Sequence, residues 1–319
     1  MALVEQFSAF EDDLIRQFHA LGFFRNFNRL SDTDLREYLT QKWFLSMNFV
    51  GWYDRAINAL NDPEAKEVLK KIVHDETPRG APSHREDLLA DLEAIGISRA
   101  DVLSARPTRT TQRSLMRLNQ LVAFTDDPDY DLRVMSALRI AGEILVAEEY
   151  RHVVPELEQR YGLTPERSRF YAPHFYHDRK DSETGQHTHS FESVLERLIS
   201  DEGKLRIATE SAEHAFQVRT YFHNQFDARL RARKALPLAG FAAAAVALMC
   251  YVGSQISQKP VSSPPRSPPS RTNLPEAGVQ FYLQADRWLL QRYEETRDRQ
   301  YLKNIGTFEA ARDVWGPGP

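Results

Sequence analysis

Residues 170–190 read FYAPHFYHDRKDSETGQHTHS, and the assignment of the fold depends on this stretch because it concentrates side chains that can bind a metal ion. Pro173 is tolerated in the first turn of a helix, where its missing N–H is harmless. From there the positions i, i+3, i+4 and i+7 share one helix face and are occupied by His174, His177, Asp178 and Asp181. Imidazole and carboxylate together suit non-heme iron or manganese better than structural zinc, which usually takes thiolates. A solvated polar helix face is the alternative interpretation.

Two further histidines, His187 and His189, close the stretch without extending this face. His189 would lie about 22 Å from His174 along a continuous helix, because each residue rises ~1.5 Å. A helix break at Gly185 would return either ring to the cluster. Both histidines are therefore reserve ligands.

Upstream, the sequence interrupts a helix between two more candidate ligands. Residues 75–84 read DETPRGAPSH, so two prolines and a glycine separate Glu76 from His84. A straight helix would hold these two residues about 12 Å apart. An irregular connection can instead turn both side chains toward one point.

A long apolar helix predicted over residues 132–161 carries three internal carboxylates: Glu143, Glu148 and Glu149. Glutamates on the exposed side of a half-buried helix are the ordinary explanation for each of them. A ligand role is the alternative.

The remaining N-terminal sequence also shows helical periodicity. Apolar residues recur at spacings of three and four, which predicts helices over residues 4–19, 31–60, 65–74, 85–94, 115–124 and 191–226. No alternating strand pattern competes with these helices. The predicted fold class is therefore all-α.

Composition restricts the function. The chain has 319 residues, of which 42% are hydrophobic and 27% charged, in the range of soluble proteins. A net charge of -4, without a basic block interleaved with aromatic residues, argues against a nucleic-acid partner. The single cysteine, Cys250, excludes an intrachain disulfide framework or a cysteine-based metal site. The first residues carry acids and no apolar core, so they do not resemble a signal peptide.

The composition changes near the C-terminus. Residues 229–234 read RLRARK, and residues 235–258 contain no charged side chain. This pattern predicts a transmembrane helix over residues 235–257, long enough for a ~30 Å hydrocarbon core. The preceding basic cluster predicts a single-pass membrane protein whose N-terminal domain is cytoplasmic. A buried alanine-rich helix is the alternative.

The predicted organisation has four parts. A helical domain covers residues 1–232 and is followed by the span. Residues 258–275 are rich in proline and predict an extended linker. Residues 276–319 predict a short helical tail.

Together these motifs resemble the heme-oxygenase-like di-metal oxidases and oxygenases. The similarity is carried by an Asp-Glu pair followed eight residues later by His, by a helix with an internal Glu, and by the pattern Phe-Tyr-x-x-His-x-x-x-Asp at residues 170–178. Residues 44–50 and 217–222 are also similar to this family. The resemblance covers roughly residues 5–230.

The resemblance implies a heme-oxygenase-like helical bundle that binds two Fe(II) ions per chain, with manganese as an alternative. Matched residue by residue, the implied metal ligands are Glu76, His84, Glu143, His174, Asp178 and Asp181. Glu143 is preferred to Glu148 and Glu149 because its separation from His174 suits the family spacing.

Asp181 departs from the family pattern, which has His at this position. Aspartate can bind iron or manganese, so one more carboxylate could complete the site. Alternatively, His177, His187 or His189 substitutes, or the second metal ion is bound weakly or lost.

The function implied is that of a non-heme di-iron oxygenase or oxidase. Its reaction would be N-oxygenation, desaturation or oxidative C–C cleavage of an amine, an amino acid or a fatty acid. The partners implied are O2, a small-molecule substrate and an external electron donor, with a homodimer left open. A non-catalytic, membrane-anchored helical domain that binds a small molecule or a protein is the alternative, and metal content separates the two.

Overall fold

Helices account for most of the chain that the structure describes. The computed structural model describes residues 2–78, 82–181 and 186–254, with side chains up to residue 227 and at Leu230. Strands are absent from these ranges, which confirms the all-α class. Residues Met1–Phe226 form one compact unit, and Asp227–Pro319 are assigned to a second.

The described residues of the first half of the chain form seven α-helices. They are α1 Leu3–His19, α2 Gly22–Arg25, α3 Asp32–Ala59, α4 Pro63–Glu76, α5 His84–Ala94, α6 Arg99–Ser104 and α7 Arg109–Leu121, with a 3-10 turn at Phe27–Arg29. Side-chain hydrogen bonds at the N-cap position define where several of these helices begin. Ser31 accepts a hydrogen bond from the backbone N–H of Asp34, and Asp62 accepts one from Ala65 just before Pro63 opens α4.

The second half continues with α8 Tyr130–Leu138, a π-helical turn at Arg139–Ile144, α9 Leu145–Tyr161, α10 Tyr171–His177, α11 Gln186–Ser190, α12 Glu192–Leu198 and α13 Glu202–Ser254. The helix α9 ends where Gly162 adopts a left-handed φ of 64°.

Two long helices organise the compact unit. The helix α3 packs against α4, α5 and α7, and α9 packs against α1 and α10. Their buried faces are rich in aromatic side chains, including the fully buried Tyr38, Tyr53 and Tyr150. These packed faces position the polar residues described below.

Three of the helices predicted from the sequence have different boundaries in the structure. The helix predicted over residues 132–161 is interrupted by the π-helical turn. The helix predicted beyond Pro173 ends at His177. The helix predicted over residues 191–226 is divided, because the Asp201 side chain accepts a hydrogen bond from the backbone N–H of Lys204 at 2.9 Å and starts α13 anew.

The predicted span over residues 235–257, the linker over 258–275 and the tail over 276–319 lie outside the residues whose side chains are described. Within the described part of the chain, no helix combines the length and apolarity needed to cross a bilayer.

Candidate metal centre

The first group of candidate ligands forms where α4 ends and α5 begins. Glu76 is the last residue of α4 and His84 the first of α5, and the distance from His84 Nδ1 to Glu76 Oε2 is 2.9 Å. His174 on α10 brings its Nε2 to 3.5 Å from Glu76 Oε1. The two imidazole rings lie edge to face at 4.7 Å. One ligand atom from each of the three residues lies within 4.8 Å of the others.

The second group joins Glu143, Asp178 and His187, again with ligand atoms within 4.8 Å of one another. His187 Nδ1 lies 3.2 Å from Asp178 Oδ1 and 3.6 Å from Glu143 Oε2. Glu143 and Asp178 are almost fully buried, at 1% and 2% exposure. Two buried carboxylates therefore face one imidazole.

The π-helical turn presents Glu143. Such turns occur often at functional sites because the extra residue in the turn reorients a side chain. The hydroxyl of Tyr53 on α3 donates a hydrogen bond to Glu143 Oε1. Gly142 permits this approach, since a Cβ atom there would meet the Tyr53 hydroxyl oxygen. A larger residue at position 142 would therefore displace the Tyr53 hydroxyl from Glu143.

Hydrogen bonds at the opposite ring nitrogens orient two of the histidines. His174 Nδ1 lies 2.7 Å from the carbonyl oxygen of Phe170, which directs Nε2 toward Glu76. His187 Nε2 lies 3.3 Å from Asp75 Oδ2, which leaves Nδ1 facing Glu143 and Asp178. Metal-binding histidines usually have such a partner, which fixes both the tautomer and the ring orientation.

Thr188 holds the short helix α11, which carries His187, against the rest of the site. Its hydroxyl donates to the carbonyl oxygen of Asp178 at 2.6 Å. Its own carbonyl accepts a hydrogen bond from Arg139 at 2.5 Å, and Arg139 pairs with the buried Glu11 at 2.8 Å. Thr188 therefore links α11 both to Asp178, at the end of α10, and to Arg139, in the π-helical turn that carries Glu143.

Protonated imidazoles balance the buried carboxylates in the metal-free protein. Burial disfavours ionisation of Glu76, but pairing with His174 and His84 outweighs it and lowers the pKa of Glu76 to about 2. Burial likewise opposes protonation of His174, yet Glu76 raises the pKa of that ring to about 9. A metal ion bound here would displace the imidazole proton.

The second group carries more negative charge. Burial and the Asp178 carboxylate raise the pKa of Glu143, while His187 and Tyr53 act in the opposite direction. Burial opposes protonation of His187, but Asp178 and Glu143 outweigh it and raise its pKa to about 11. Two carboxylates beside a single protonated imidazole leave a net negative charge, and this charge favours the binding of a cation.

The donor set fits iron or manganese. Each group offers imidazole nitrogen together with carboxylate oxygen, the combination typical of non-heme iron. The Oδ1 atom of Asp178 is buried and faces the Nδ1 atom of His187 at 3.2 Å, as expected of two side chains that bind one ion. Asp75 connects the two groups. It directly precedes Glu76 of the first group in the sequence, and its side chain pairs with His187 of the second group.

The structure brings five of the six predicted ligands together in these two groups: Glu76, His84, Glu143, His174 and Asp178. It separates the sixth, Asp181, and that assignment is corrected. The helix α10 ends at His177, so position i+7 does not return to the same face. Asp181 is exposed and pairs with Arg179 at 2.6 Å and with Arg151 at 3.6 Å.

The other reserve ligands and carboxylates also have defined positions. His177 is exposed, and His189 pairs with Glu192 at 2.9 Å. Glu148 pairs with His19 and Arg151, and Glu149 belongs to a separate buried cluster. Of the three carboxylates considered along residues 132–161, Glu143 is the one that meets Asp178 and His187.

The sequence analysis placed His187 only among the reserve ligands and did not identify the residues that position the second group. The available signal for His187 was Gly185, a helix breaker between it and Asp178. Tyr53, Arg139 and Thr188 have no recognisable motif, because each acts through a contact made at a distance in sequence. Asp75 belongs to the Asp-Glu pair, but its contact with His187 has no local signal.

Comparison with known proteins identifies a matching family. Residues 36–220 match the family described as iron-containing redox enzyme. No curated protein matches the sequence at a significant level.

Solved structures share the fold at low sequence identity. A CadD-like protein of unknown function from Nostoc punctiforme is 14% identical with a TM-score of 0.54, over 70% of this chain and 98% of that one. A domain of unknown function with a heme oxygenase-like fold from Shewanella denitrificans is also 14% identical with a TM-score of 0.54, over 72% and 93%. A TenA family transcription regulator from Silicibacter is 13% identical with a TM-score of 0.50, over 69% and 96%.

Proposed function

The chain belongs to the family of iron-containing redox enzymes, and from this premise we propose that it is a non-heme di-iron oxidase or oxygenase. Its substrates would be O2 and a small organic molecule. The observation that carries the proposal is the pair of three-ligand groups, each combining imidazole with carboxylate within 4.8 Å. A site for one structural metal ion would need only one of them.

The six side chains have separate roles in this proposal. Glu76, His84 and His174 would hold one ion. Glu143, Asp178 and His187 would hold the other. Iron held by these residues would supply the electrons that O2 activation requires.

The protein surroundings would exclude water and fix the ligands. Tyr53, Phe170 and Tyr171 are buried around the two groups, and the rings of Phe170 and His174 lie 4.1 Å apart. In this low-dielectric environment the orientation of His187, Glu143 and His174 depends on their hydrogen bonds to Asp75, Tyr53 and the Phe170 carbonyl, respectively.

The reaction itself is proposed at the level of class. N-oxygenation, desaturation and oxidative C–C cleavage of an amine, an amino acid or a fatty acid all suit such a site, and a fold does not choose among them. An external electron donor would return the iron to Fe(II) between turnovers. Manganese is the alternative ion because the ligands are hard oxygen and nitrogen donors.

We also propose that residues 235–257 anchor the enzyme in a membrane, with the N-terminal domain cytoplasmic. The support is the uncharged sequence of residues 235–258 directly after RLRARK. Protease treatment of sealed vesicles tests it. Protection of the N-terminal domain and of the residues after 258 on the same side would contradict it.

Anaerobic metal loading of the full chain tests the function. The wild type should bind close to two Fe(II) per chain and consume O2 when oxygen is admitted. His84→Ala and His187→Ala should each bind about one iron ion fewer, because each removes a ligand from a different group. The exposed His214 provides the matched control, and His214→Ala should bind as much iron as the wild type. A wild type that stays metal-free in excess Fe(II) would favour a non-catalytic binding domain instead.

A further inference from the structure

A second buried polar cluster surrounds Glu149 on α9. The Glu149 cluster consists of Tyr38, Lys42, Glu149, Arg219 and His223. Lys42 Nζ lies 3.0 Å from Glu149 Oε2, and an Arg219 guanidinium nitrogen lies 2.5 Å from the same oxygen. Tyr38 donates a hydrogen bond to Glu149 Oε1, and His223 Nε2 lies 3.4 Å from that oxygen. Each of the five residues is at most 3% exposed.

The Glu149 cluster contains more positive than negative charge. Lys42 and Arg219 are two cations beside one carboxylate, and burial lowers the pKa of His223, which keeps that ring neutral. Burial, together with the charge of Arg219, lowers the pKa of Lys42 only to about 8, so Lys42 is mostly protonated at neutral pH. A net positive charge in a dry interior is costly unless an anion balances it.

The same cluster contains a buried hydrogen-bond donor without an acceptor. The Nε–H of Arg219 is buried and has no partner within the residues described. Glu149 already receives Tyr38, Lys42 and Arg219 at its two oxygens. Buried donors in native proteins are normally paired, so the unpaired Nε–H of Arg219 beside two cations indicates a missing anionic acceptor.

The position of the cluster relates it to the candidate metal centre. Lys42 Nζ lies 5.3 Å from the ring centroid of Tyr150. The other neighbours of that ring include His174 at 6.2 Å and Tyr171 at 5.3 Å between centroids. The Tyr171 hydroxyl is buried and also lacks a partner in the described part of the chain. One aromatic ring therefore separates the cationic cluster from a candidate metal ligand.

We propose that Lys42 and Arg219 form a binding site for the carboxylate of a small organic acid, next to the candidate metal centre. A carboxylate would balance the excess charge and accept from both cations, a type of contact that is stronger than a neutral hydrogen bond. Taking that acid as the substrate rests on the proposed function, because the acid would extend from this site toward the metal ions. A purely structural ion network is the competing explanation.

The substitution Lys42→Met separates the two explanations in the full chain without metal. It removes the excess cation, leaves Glu149 paired with Arg219, and keeps an unbranched side chain against Tyr150. If the cluster is a ligand site, the unliganded variant should melt at the same or a higher temperature than the wild type. If Lys42 is a structural partner of Glu149, the variant should melt lower. Lys70→Met is the control, since Lys70 is exposed and pairs with Glu67.

Ligand binding is measured by calorimetry with octanoate, octan-1-ol and acetate as probes. Octanoate should bind the wild type and the Lys70→Met variant alike, and Lys42→Met should weaken it about tenfold or more. Octanol should bind much more weakly than octanoate, because it lacks the charge. Equal binding of octanoate and octanol, or equal binding of octanoate to wild type and Lys42→Met, would overturn the proposal. Acetate that binds as tightly as octanoate would indicate a site for a small free ion and contradict the substrate assignment.

A parallel titration of the Fe(II)-loaded chain under anaerobic conditions completes the test. Octanoate binding that requires iron and persists in Lys42→Met would place the carboxylate on the metal and contradict the site at Lys42. Failure of octanoate to bind the metal-free wild type would overturn the proposed carboxylate site. It would leave the iron stoichiometry unchanged, so it would not bear on the proposed di-iron function.

Discussion

Tyr53 donates a hydrogen bond from its hydroxyl to Glu143, across the contact between α3 and the π-helical turn. Burial and the charge of Glu143 raise the pKa of Tyr53, so the phenol remains a donor at any physiological pH. The bond fixes one carboxylate oxygen and leaves the other facing His187 at 3.6 Å. Tyr53 is therefore expected to position the second metal site.

Replacement of Tyr53 by Phe should selectively lower the affinity of the second group for iron. The substitution removes only the hydroxyl, so Glu143 loses the bond that orients it, and supports of this kind commonly contribute ten- to a hundred-fold to metal affinity. Iron titration should show one site unchanged and the other weakened about tenfold. Tyr161→Phe, which removes a hydroxyl bonded to Asp32 at the surface, is the control. Equal iron affinity in both variants would exclude a positioning role for Tyr53.

Thr188 should control the same site through the backbone. Thr188→Val keeps the shape of the side chain but removes the donor to the Asp178 carbonyl, whereas Thr188→Ser keeps the hydroxyl. We expect Val to lower the affinity of the second ion and to cost about 1–3 kcal/mol of stability, because a buried carbonyl loses its partner. Serine should restore the metal affinity. A Ser variant that binds iron as poorly as the Val variant would show that shape, rather than the hydrogen bond, is what matters.

Asp181 should be dispensable for metal binding. Its carboxylate is exposed and its partners are Arg179 and Arg151, so Asp181→Asn should retain two iron ions with unchanged affinity. Its contribution to stability should be below about 1 kcal/mol, as for other exposed ion pairs. The comparison is made by iron analysis beside Asp178→Asn, which should lose one ion. Loss of iron in the Asp181 variant would restore it to the ligand set.

His152 should make the metal-free chain less stable as the pH is lowered. Burial, together with the charge of His19, lowers the pKa of His152 to about 4. The unfolded state therefore binds more protons than the folded state between pH 6.5 and 4, and stability is lost as pH falls through that window. Between pH 7 and pH 5 the loss should be about 1 kcal/mol, allowing for the partial exposure of the ring.

Urea unfolding at the two pH values measures this loss. His152→Phe keeps a ring against Phe24, whose ring stacks on His152 at 4.7 Å, and should reduce the pH dependence. His214→Gln, at an exposed position, should leave it unchanged. The same pH dependence in wild type and His152→Phe would assign it to other groups.

The all-α class and most helices could be predicted because apolar residues recur along the chain at helical spacing. Glu76 and His84 could be predicted as a pair because the proline-rich connection between them cannot continue a helix. These features depend on local sequence, which a single chain displays directly.

Asp181 and His187 could not be assigned correctly because their positions depend on contacts remote in sequence. The side chain of Lys180 donates to the carbonyl of Ser8 at 2.5 Å and pairs with Asp12, which draws this part of the chain toward α1 after α10 ends. His187 then approaches Glu143 through the contacts of Thr188 with Asp178 and Arg139. The position of the Glu143 carboxylate likewise involves a residue remote in sequence. Tyr53, ninety residues before Glu143, bonds to that carboxylate and lies against Gly142.

The central claim is that two groups of three ligands hold two iron ions. Anomalous diffraction from crystals of the Fe(II)-loaded chain, recorded on both sides of the iron absorption edge, tests it most directly. The account predicts two iron peaks, one bound by Glu76, His84 and His174 and the other by Glu143, Asp178 and His187. A single peak, or a second peak bound by Asp181 in place of His187, would contradict it.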